Sequence, residues 1–282
     1  MMNKKNFSIW MVCFLVITGG LISQVNAQQF PEEKLGWQLG SQAYTFRLFT
    51  FAEALNKINS AGLKYVEAFP GQKIGAGSDE KMGPGLSNEG RALVKRLLKE
   101  NNITLQAFGV TNGKDKQEWE QIFAFAKDMG IKVITCEPKI EHLDIVSELC
   151  EKYNVKAALH NHPEPSYYWN PEVVLKALEG RSSKMGAAAD VGHWMRSGLD
   201  PVDCLKKLDG KVFHSHFKDL NEFGDKKAHD VHWGTGKLPI KEVIQELKRQ
   251  NFKGMLSAEY EYNWENNTDD VKQSVYNLRS LL

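Results

Sequence analysis

The sequence has few cysteines and almost no excess of charge of either sign. Of its four cysteines, Cys13 lies in an N-terminal apolar stretch, and the other three form an odd, widely spaced set that is not typical of a disulfide framework. The 282-residue chain has 36 basic and 35 acidic residues and no basic run. Composition therefore gives no electrostatic reason for binding nucleic acid or anionic lipid, and the fold must depend on its hydrophobic core.

The N-terminal stretch has the features of a signal peptide. Lys4 and Lys5 precede an apolar run from Phe7 to Ile22, and Val25-Asn26-Ala27 then places small residues where a signal peptidase cleaves. The run is too short, and too soon followed by polar residues, to be a good membrane span, so a membrane anchor is the weaker alternative. We expect cleavage after Ala27 and export to the periplasm or outside the cell, with no membrane association after cleavage.

Eight short runs of strand-forming residues alternate with amphipathic helical stretches over residues 28–282. The runs are Gln38–Phe46, Tyr65–Phe69, Thr104–Val110, Lys132–Glu137, Lys156–His162, Gly186–Val191, Val212–Phe217 and Met255–Tyr262. This alternation over one domain-sized length predicts an α/β fold, a (β/α)8 TIM barrel in a single domain, with a doubly wound open sheet as the alternative. Long loops rich in glycine follow the second and seventh runs, at residues 70–85 and 220–237, on the face where such barrels carry their active sites.

Ionisable residues are concentrated at the C-terminal ends of these runs. They are Glu67, Glu137, His160, His162, Asp190, His193, His214, His216, Lys218, Glu259 and Glu261. Residues two apart in a strand point the same way, and charges that point into a barrel must be paired or bound to metal. Carboxylates together with imidazoles suit Zn, Mn or another first-row divalent ion, so the sequence predicts one divalent-metal site.

Short motifs at the strand ends resemble those of the xylose-isomerase-like superfamily of sugar isomerases and epimerases. They are Glu137-Pro, Asp190-Val-Gly-His193, His216-Phe-Lys218-Asp219 and Glu259-Tyr-Glu261, and Gly234-Thr-Gly236 before Leu238-Pro-Ile240 is also similar. The resemblance extends over nearly all of residues 28–282. It depends on the order of the motifs, each of which ends its own predicted strand.

The resemblance implies a role for each of these residues. It implies that Glu137, Asp190, His216 and Glu259 bind one divalent metal ion, which could be Mn, Zn, Co or Mg. The two glutamates would also act as acid and base on opposite faces of a small carbohydrate substrate, and His193 would contact that substrate or transfer a proton. Further expected substrate contacts are Glu67, His160, His162, Trp194 and Lys218.

Several of these assignments have alternatives. Glu261 could replace Glu259 as a metal ligand, and His160 could be a hydrogen-bonded barrel residue. Glu67 could be an exposed charge at a strand end. Lys218 could form a structural ion pair with Asp219. His214 and Trp194 could serve only in hydrogen bonding and in packing, respectively.

The expected activity is metal-dependent isomerisation or epimerisation of a sugar or keto-sugar through a metal-stabilised enediolate. A lyase or hydratase acting on 3-keto-glycosides is the first alternative, and a non-catalytic sugar-binding barrel is the second. A nuclease resembling endonuclease IV is disfavoured by the near-neutral charge. Export argues against sugar phosphates as substrates, and the sequence contains no signal of oligomeric state.

Overall fold

Eight parallel strands form a closed barrel. The computed structural model describes residues 30–282, and the predicted signal peptide, residues 1–27, lies outside them. The barrel strands are β1 (Gln38–Gln42), β2 (Tyr65–Ala68), β3 (Thr104–Thr111), β4 (Val133–Cys136), β5 (Lys156–His160), β6 (Met185–Asp190), β7 (Val212–Phe217) and β8 (Met255–Ala258). They are adjacent in chain order, and β8 pairs with β1 to close the ring. The predicted (β/α)8 fold is confirmed, and the open-sheet alternative is wrong.

Helices surround the barrel. Within residues 30–282 they are α1 (Pro31–Lys34), α2 (Phe51–Ser60), α3 (Asn88–Glu100), α4 (Lys116–Met129), α5 (Leu143–Tyr153), α6 (Pro171–Leu178), α7 (Val191–Arg196), α8 (Pro201–Lys207), α9 (Ile240–Arg249) and α10 (Thr268–Leu281). Two short antiparallel pairs, Lys73–Gly75 with Ser78–Lys81 and Asp219–Leu220 with Asp230–Val231, shape the long connections after β2 and β7. None of the described helices is long and apolar enough to span a bilayer.

The main core lies between the helices and the outside of the barrel, and α2 shows how the sequence builds it. Thr50 caps the helix by accepting a hydrogen bond from the backbone N–H of Glu53, whose side chain bonds back to Thr50. Phe51, Leu55 and Ile58 recur at helical spacing and are fully buried. The three cysteines of the described residues are buried free thiols, as expected for a protein without a disulfide framework.

Six of the eight predicted strands extend too far at the end that carries the site. β1 ends at Gln42 and is followed by the 3-10 turn Ala43–Phe46, and β8 ends at Ala258, before Tyr262. Polar and apolar residues continue to alternate past the last paired residue, so the pattern alone does not mark where pairing stops. Helix α7 was not predicted. It begins directly after Asp190, whose Oδ1 accepts a hydrogen bond from the backbone N–H of His193 at 2.7 Å.

Gly40 allows β1 to approach its neighbours closely. A Cβ at this position would lie 2.3 Å from the carbonyl oxygen of Tyr65 and 2.4 Å from Cε of Met255. We expect Gly40→Ala to lower the free energy of unfolding by about 1–3 kcal/mol, because the β2 backbone cannot yield without weakening the barrel. Urea unfolding measures this difference. Gly85→Ala is the control, since nothing lies within 4 Å of its Cβ, and equal midpoints for the two variants would contradict the prediction.

Candidate active site

The ionisable residues converge at the C-terminal mouth of the barrel, mostly out of contact with solvent. The exposed fraction is 0% for Asp190, His216 and Lys218, 1% for His160, 5% for His193 and 7% for Glu259. His162 is the exception, with 49% of its side chain exposed. Such a concentration of buried charge requires paired charges or a bound cation.

The Oδ2 atom of Asp190 lies at the centre of the cluster. Lys218 Nζ is 3.0 Å from this atom. Three imidazole nitrogens surround it, at 3.4 Å (His193), 3.6 Å (His160) and 3.7 Å (His216). Lys218 is therefore an ion-pair partner of Asp190 Oδ2, although no described residue makes a hydrogen bond of good geometry to this oxygen. Buried carboxylate oxygens usually accept a hydrogen bond, so Oδ2 retains lone pairs for a further ligand.

Glu259 and Glu261 follow β8 and share one cationic partner. Oε2 of each lies 2.8 Å from Lys218 Nζ, and Oε2 of Glu259 is also 2.9 Å from His216 Nδ1. Burial acts to raise the pKa of Glu259, but His216 and Lys218 outweigh it and hold the pKa well below its usual range. Burial acts to lower the pKa of Lys218, but Asp190 and the two glutamates raise it. Lys218 is therefore a buried ammonium that joins the ends of β6 and β8.

Glu137 follows β4 and is held by three donors. His160 Nδ1 lies 2.9 Å from Oε1, His162 also bonds Oε1, and the hydroxyl of Ser166 donates to Oε2 at 3.0 Å. Burial opposes ionisation, but the hydrogen bonds from His160 and His162 outweigh it and lower the pKa of Glu137. Glu137 is therefore an ionised carboxylate with a fixed orientation.

Glu67 lies beneath this cluster, inside the barrel. Its carboxylate accepts hydrogen bonds from Thr135, His214, His216 and Ser257 at 2.5, 2.7, 2.8 and 3.1 Å, and it is fully buried. The alternative of an exposed charge at a strand end is therefore wrong. Because His216 donates from Nε2 to Glu67, its Nδ1 faces Asp190 and Glu259. Such a carboxylate–histidine contact orients metal-binding histidines in other proteins.

Three groups of these residues have ligand atoms close enough to hold a metal ion. They are His160 with Asp190, His193 and Glu259; Glu67 with His214 and His216; and Glu137 with His160 and His162. The four predicted ligands are divided among these groups. The groups are contiguous, because His160 belongs to two of them and His216 Nδ1 lies 3.0 Å from His160 Nε2. The mixed set of carboxylate and imidazole donors fits a divalent cation, and the Lys218 ammonium is the cation that Asp190 and Glu259 contact in this structure.

Comparison with known proteins decides the family. The model of the xylose isomerase-like TIM barrel family matches residues 55–281. The chain belongs to this family. Among curated proteins, an inosose dehydratase of Clostridium tetani (strain Massachusetts / E88) is 25% identical over 133 residues, which are 42% of this chain and 45% of that protein. The match therefore spans less than half the length of this relative.

Two solved structures of similar barrels illustrate the range of likeness. An uncharacterized protein of Parabacteroides distasonis ATCC 8503 is 38% identical, with a TM-score of 0.72 over 88% of this chain and 100% of that one. A D-allulose 3-epimerase from Methylomonas sp., in complex with D-allulose, is 12% identical, with a TM-score of 0.69 over 87% of this chain and 97% of that one. At 12% identity, the second likeness shows the fold alone.

Two predicted substrate contacts of this xylose isomerase-like barrel lie deeper than expected. Trp194 is 1% exposed, and its indole N–H has no partner among residues 30–282. Lys218 is fully buried, and its partners are the carboxylates described above. It does not form the alternative ion pair with Asp219. That carboxylate instead accepts from the backbone N–H groups of Gly234, Gly236 and Leu238 at 2.8 to 2.9 Å.

Arg196 is a residue of the site that the sequence interpretation missed. Its Nη1 lies 3.1 Å from His193 Nδ1, and it also bonds Glu261 and Asp230 at 3.1 and 3.3 Å. Arginine cannot accept a hydrogen bond, so His193 Nδ1 is the acceptor in this contact, while Nε2 lies 3.4 Å from both Asp190 Oδ2 and Lys218 Nζ. Burial lowers the pKa of His193 well below its usual range. The available signal was spacing, because Arg196 is three residues after His193 on α7.

Proposed function

We propose that this protein is a divalent-metal-dependent isomerase or epimerase of a sugar or keto-sugar. The observation that carries the proposal is the pair Glu137 and Glu259. They follow β4 and β8, which are four strand positions apart in either direction around the ring. Between them lies the buried Asp190 Oδ2, which is ion-paired with Lys218 at 3.0 Å but has no hydrogen bond among the described residues. A substrate bound at the mouth would have one carboxylate on each side.

The metal would be held by Glu137, Asp190, His216 and Glu259. Glu67 supports this assignment, because it takes the Nε2–H of His216 and leaves Nδ1 directed at Asp190 and Glu259. When bound, a divalent ion would act as a Lewis acid toward adjacent carbonyl and hydroxyl oxygens. The ligand types suit Mn, Zn, Co or Mg.

Proton transfer is the task of the chain's own carboxylates. Glu259 is 7% exposed, and Glu137 is fixed on the other side by His160, His162 and Ser166. One glutamate would remove the proton next to a carbonyl. Return of a proton to the same carbon on the opposite face gives epimerisation, and return to the neighbouring carbon gives isomerisation. His193 would contact a substrate oxygen or transfer a proton to it.

Elimination is the second candidate, with the protein acting as a lyase or hydratase on 3-keto-glycosides. The similarity to an inosose dehydratase over 133 residues favours it. The first step would be the same removal of a proton next to a carbonyl. The resulting electron pair would then expel a β-substituent, and the glutamate that removed the proton would return it to the departing oxygen.

Isotope exchange and product mass together test and separate the two reactions. Metal-loaded protein is incubated in D2O with a panel of free sugars, keto-sugars and 3-keto-glycosides, and the products are analysed by NMR and mass spectrometry. Deuterium at one carbon of a product that keeps the substrate skeleton supports isomerisation or epimerisation. A product lighter by water or by the glycosidic substituent supports the lyase. The absence of exchange across the whole panel would refute both.

We also propose that the protein is exported. The order of basic, apolar and small residues over residues 1–27 supports this proposal. We expect N-terminal sequencing of the protein isolated from its native host to give Gln28 as the first residue. A chain that still begins at Met1 would contradict export through a cleaved signal peptide.

A further inference from the structure

A cavity of about 340 Å3 opens beside Glu137 on the catalytic face. It lies where the segment after β4 faces the loop between β5 and α6. Besides Glu137, its lining consists of Pro138, Lys139, Ile140, Glu141, Tyr167 and Tyr168. None of these six residues has a role in the reaction proposed above.

We call this cavity the Tyr167 cleft, and its wall is held in place by contacts within the protein. The hydroxyl of Tyr168 donates to the carbonyl oxygen of Pro138 at 2.6 Å, and Tyr168 is only 1% exposed. Tyr167 packs edge-on against it, with ring centroids 5.0 Å apart and an interplanar angle of 89°. Tyr167 and Ile140 are 53% and 56% exposed. A ligand would therefore meet a fixed ring and two apolar side chains that solvent now contacts.

The cleft is continuous with the candidate active site. Glu137 lines the cleft and also accepts hydrogen bonds from His160 and His162. Ser166, which directly precedes Tyr167, donates to the other oxygen of Glu137 at 3.0 Å. A group in the cleft would thus be next to a sugar bound at Glu137, because Glu137 lines both places.

We propose that the Tyr167 cleft is a subsite for a ring with an apolar face that is joined to the reacting sugar through a glycosidic bond. Aromatic rings and the apolar faces of sugars stack on exposed tyrosine side chains. The volume is at the low end of the roughly 300–1,000 Å3 typical of ligand pockets, which suits one ring. Lys139 and Glu141 lie 3.9 Å apart and balance each other, so the cleft is not built for an anionic group. The inference rests on the proposed function for the placement of the sugar.

The test measures binding of ring-bearing and ring-free glycosides by titration calorimetry. The probes are the methyl glycosides, the phenyl glycosides and the matching disaccharides of β-D-glucose and β-D-galactose. The protein sample consists of residues 28–282 loaded with metal. We expect at least one ring-bearing probe to bind roughly three- to tenfold more tightly than its methyl counterpart. A preference for phenyl glycosides identifies an aryl group as the occupant, and a preference for disaccharides identifies a second sugar.

Tyr167→Ala and Ile140→Ser should each reduce this preference toward unity. Tyr276→Ala should retain it, because Tyr276 is another exposed tyrosine, 69% exposed, on the distant α10. The proposal would be overturned by equal affinities for all probes or by no binding of any probe. It would also be overturned by a ring preference that both cleft variants retain. Deuterium exchange is followed separately with the panel of free sugars, keto-sugars and 3-keto-glycosides described above, because the methyl and phenyl glycosides carry no carbonyl next to which a proton could be removed. A ring preference without exchange would retain the subsite and refute the proposed reaction, and exchange without a ring preference would do the opposite.

Discussion

Glu259→Gln is expected to reduce turnover by about 10²- to 10⁴-fold while the protein retains much of its affinity for metal. The amide oxygen of glutamine can still coordinate a cation, but the side chain cannot accept the proton that Glu259 is proposed to take. Turnover is measured as deuterium exchange into the substrate, and metal content is measured in the same samples by elemental analysis. The metal measurement is essential, because lost metal would imitate lost catalysis.

Glu261→Gln is the matched control for this variant. Glu261 makes the same 2.8 Å contact with Lys218 Nζ but does not contact His216 within the described structure. We expect a loss well below that of Glu259→Gln. A metal-loaded Glu259→Gln protein with full activity would refute the acid–base role. Complete loss of exchange in His193→Ala, with exchange retained in both glutamate variants, would make histidine the base and favour the lyase.

The Glu137→Ala, Asp190→Ala double variant is expected to lose bound metal. Removal of a residue that only orients a ligand commonly costs 10- to 100-fold in metal affinity, so removal of two ligands should lower it by more than about 100-fold. This change is measured in two ways, by elemental analysis after dialysis and by competition for the metal with a chelator. Asp190 also caps α7, so circular dichroism must show that the variant remains folded.

A control for the double variant changes two carboxylates outside the site. Glu172→Ala with Asp203→Ala removes the same charge from α6 and α8, where both side chains are largely exposed. We expect this protein to bind metal as wild type does. Equal metal affinity in the Glu137, Asp190 double variant and in wild type would show that the ion, if any, is bound elsewhere.

Strand periodicity predicted a substantial part of the site. His160 and His162, two residues apart, both bond Oε1 of Glu137. His214 and His216 likewise both bond Oε2 of Glu67. Residues two apart share a face of a strand, so these pairs could be recognised without knowledge of which carboxylate they meet. The pairing partner depends on the curvature of the ring, which single-strand patterns do not contain.

The depth of residues at the mouth could not be predicted in this way. Trp194 follows a strand, which suggested a position at the open face. Helix α7 begins immediately at Val191, however, and its turn directs Trp194 into the core. Glu67 is a similar case, because Thr135 of β4, His214 of β7 and Ser257 of β8 satisfy its carboxylate within the barrel, and no single strand shows this. Arg196 was missed because its contacts with His193, Glu261 and Asp230 join separate segments.

The most direct test of the account is the metal dependence of carbon-bound proton exchange. Wild-type protein is treated with a chelator, dialysed, and assayed in D2O before and after readdition of Mn, Zn, Co or Mg, with Glu259→Gln as a parallel sample. The account predicts that exchange disappears with the metal, returns when one of these ions is restored, and stays low in the loaded Glu259→Gln protein. Exchange at the same rate in metal-free protein, or undiminished exchange in Glu259→Gln, would contradict it.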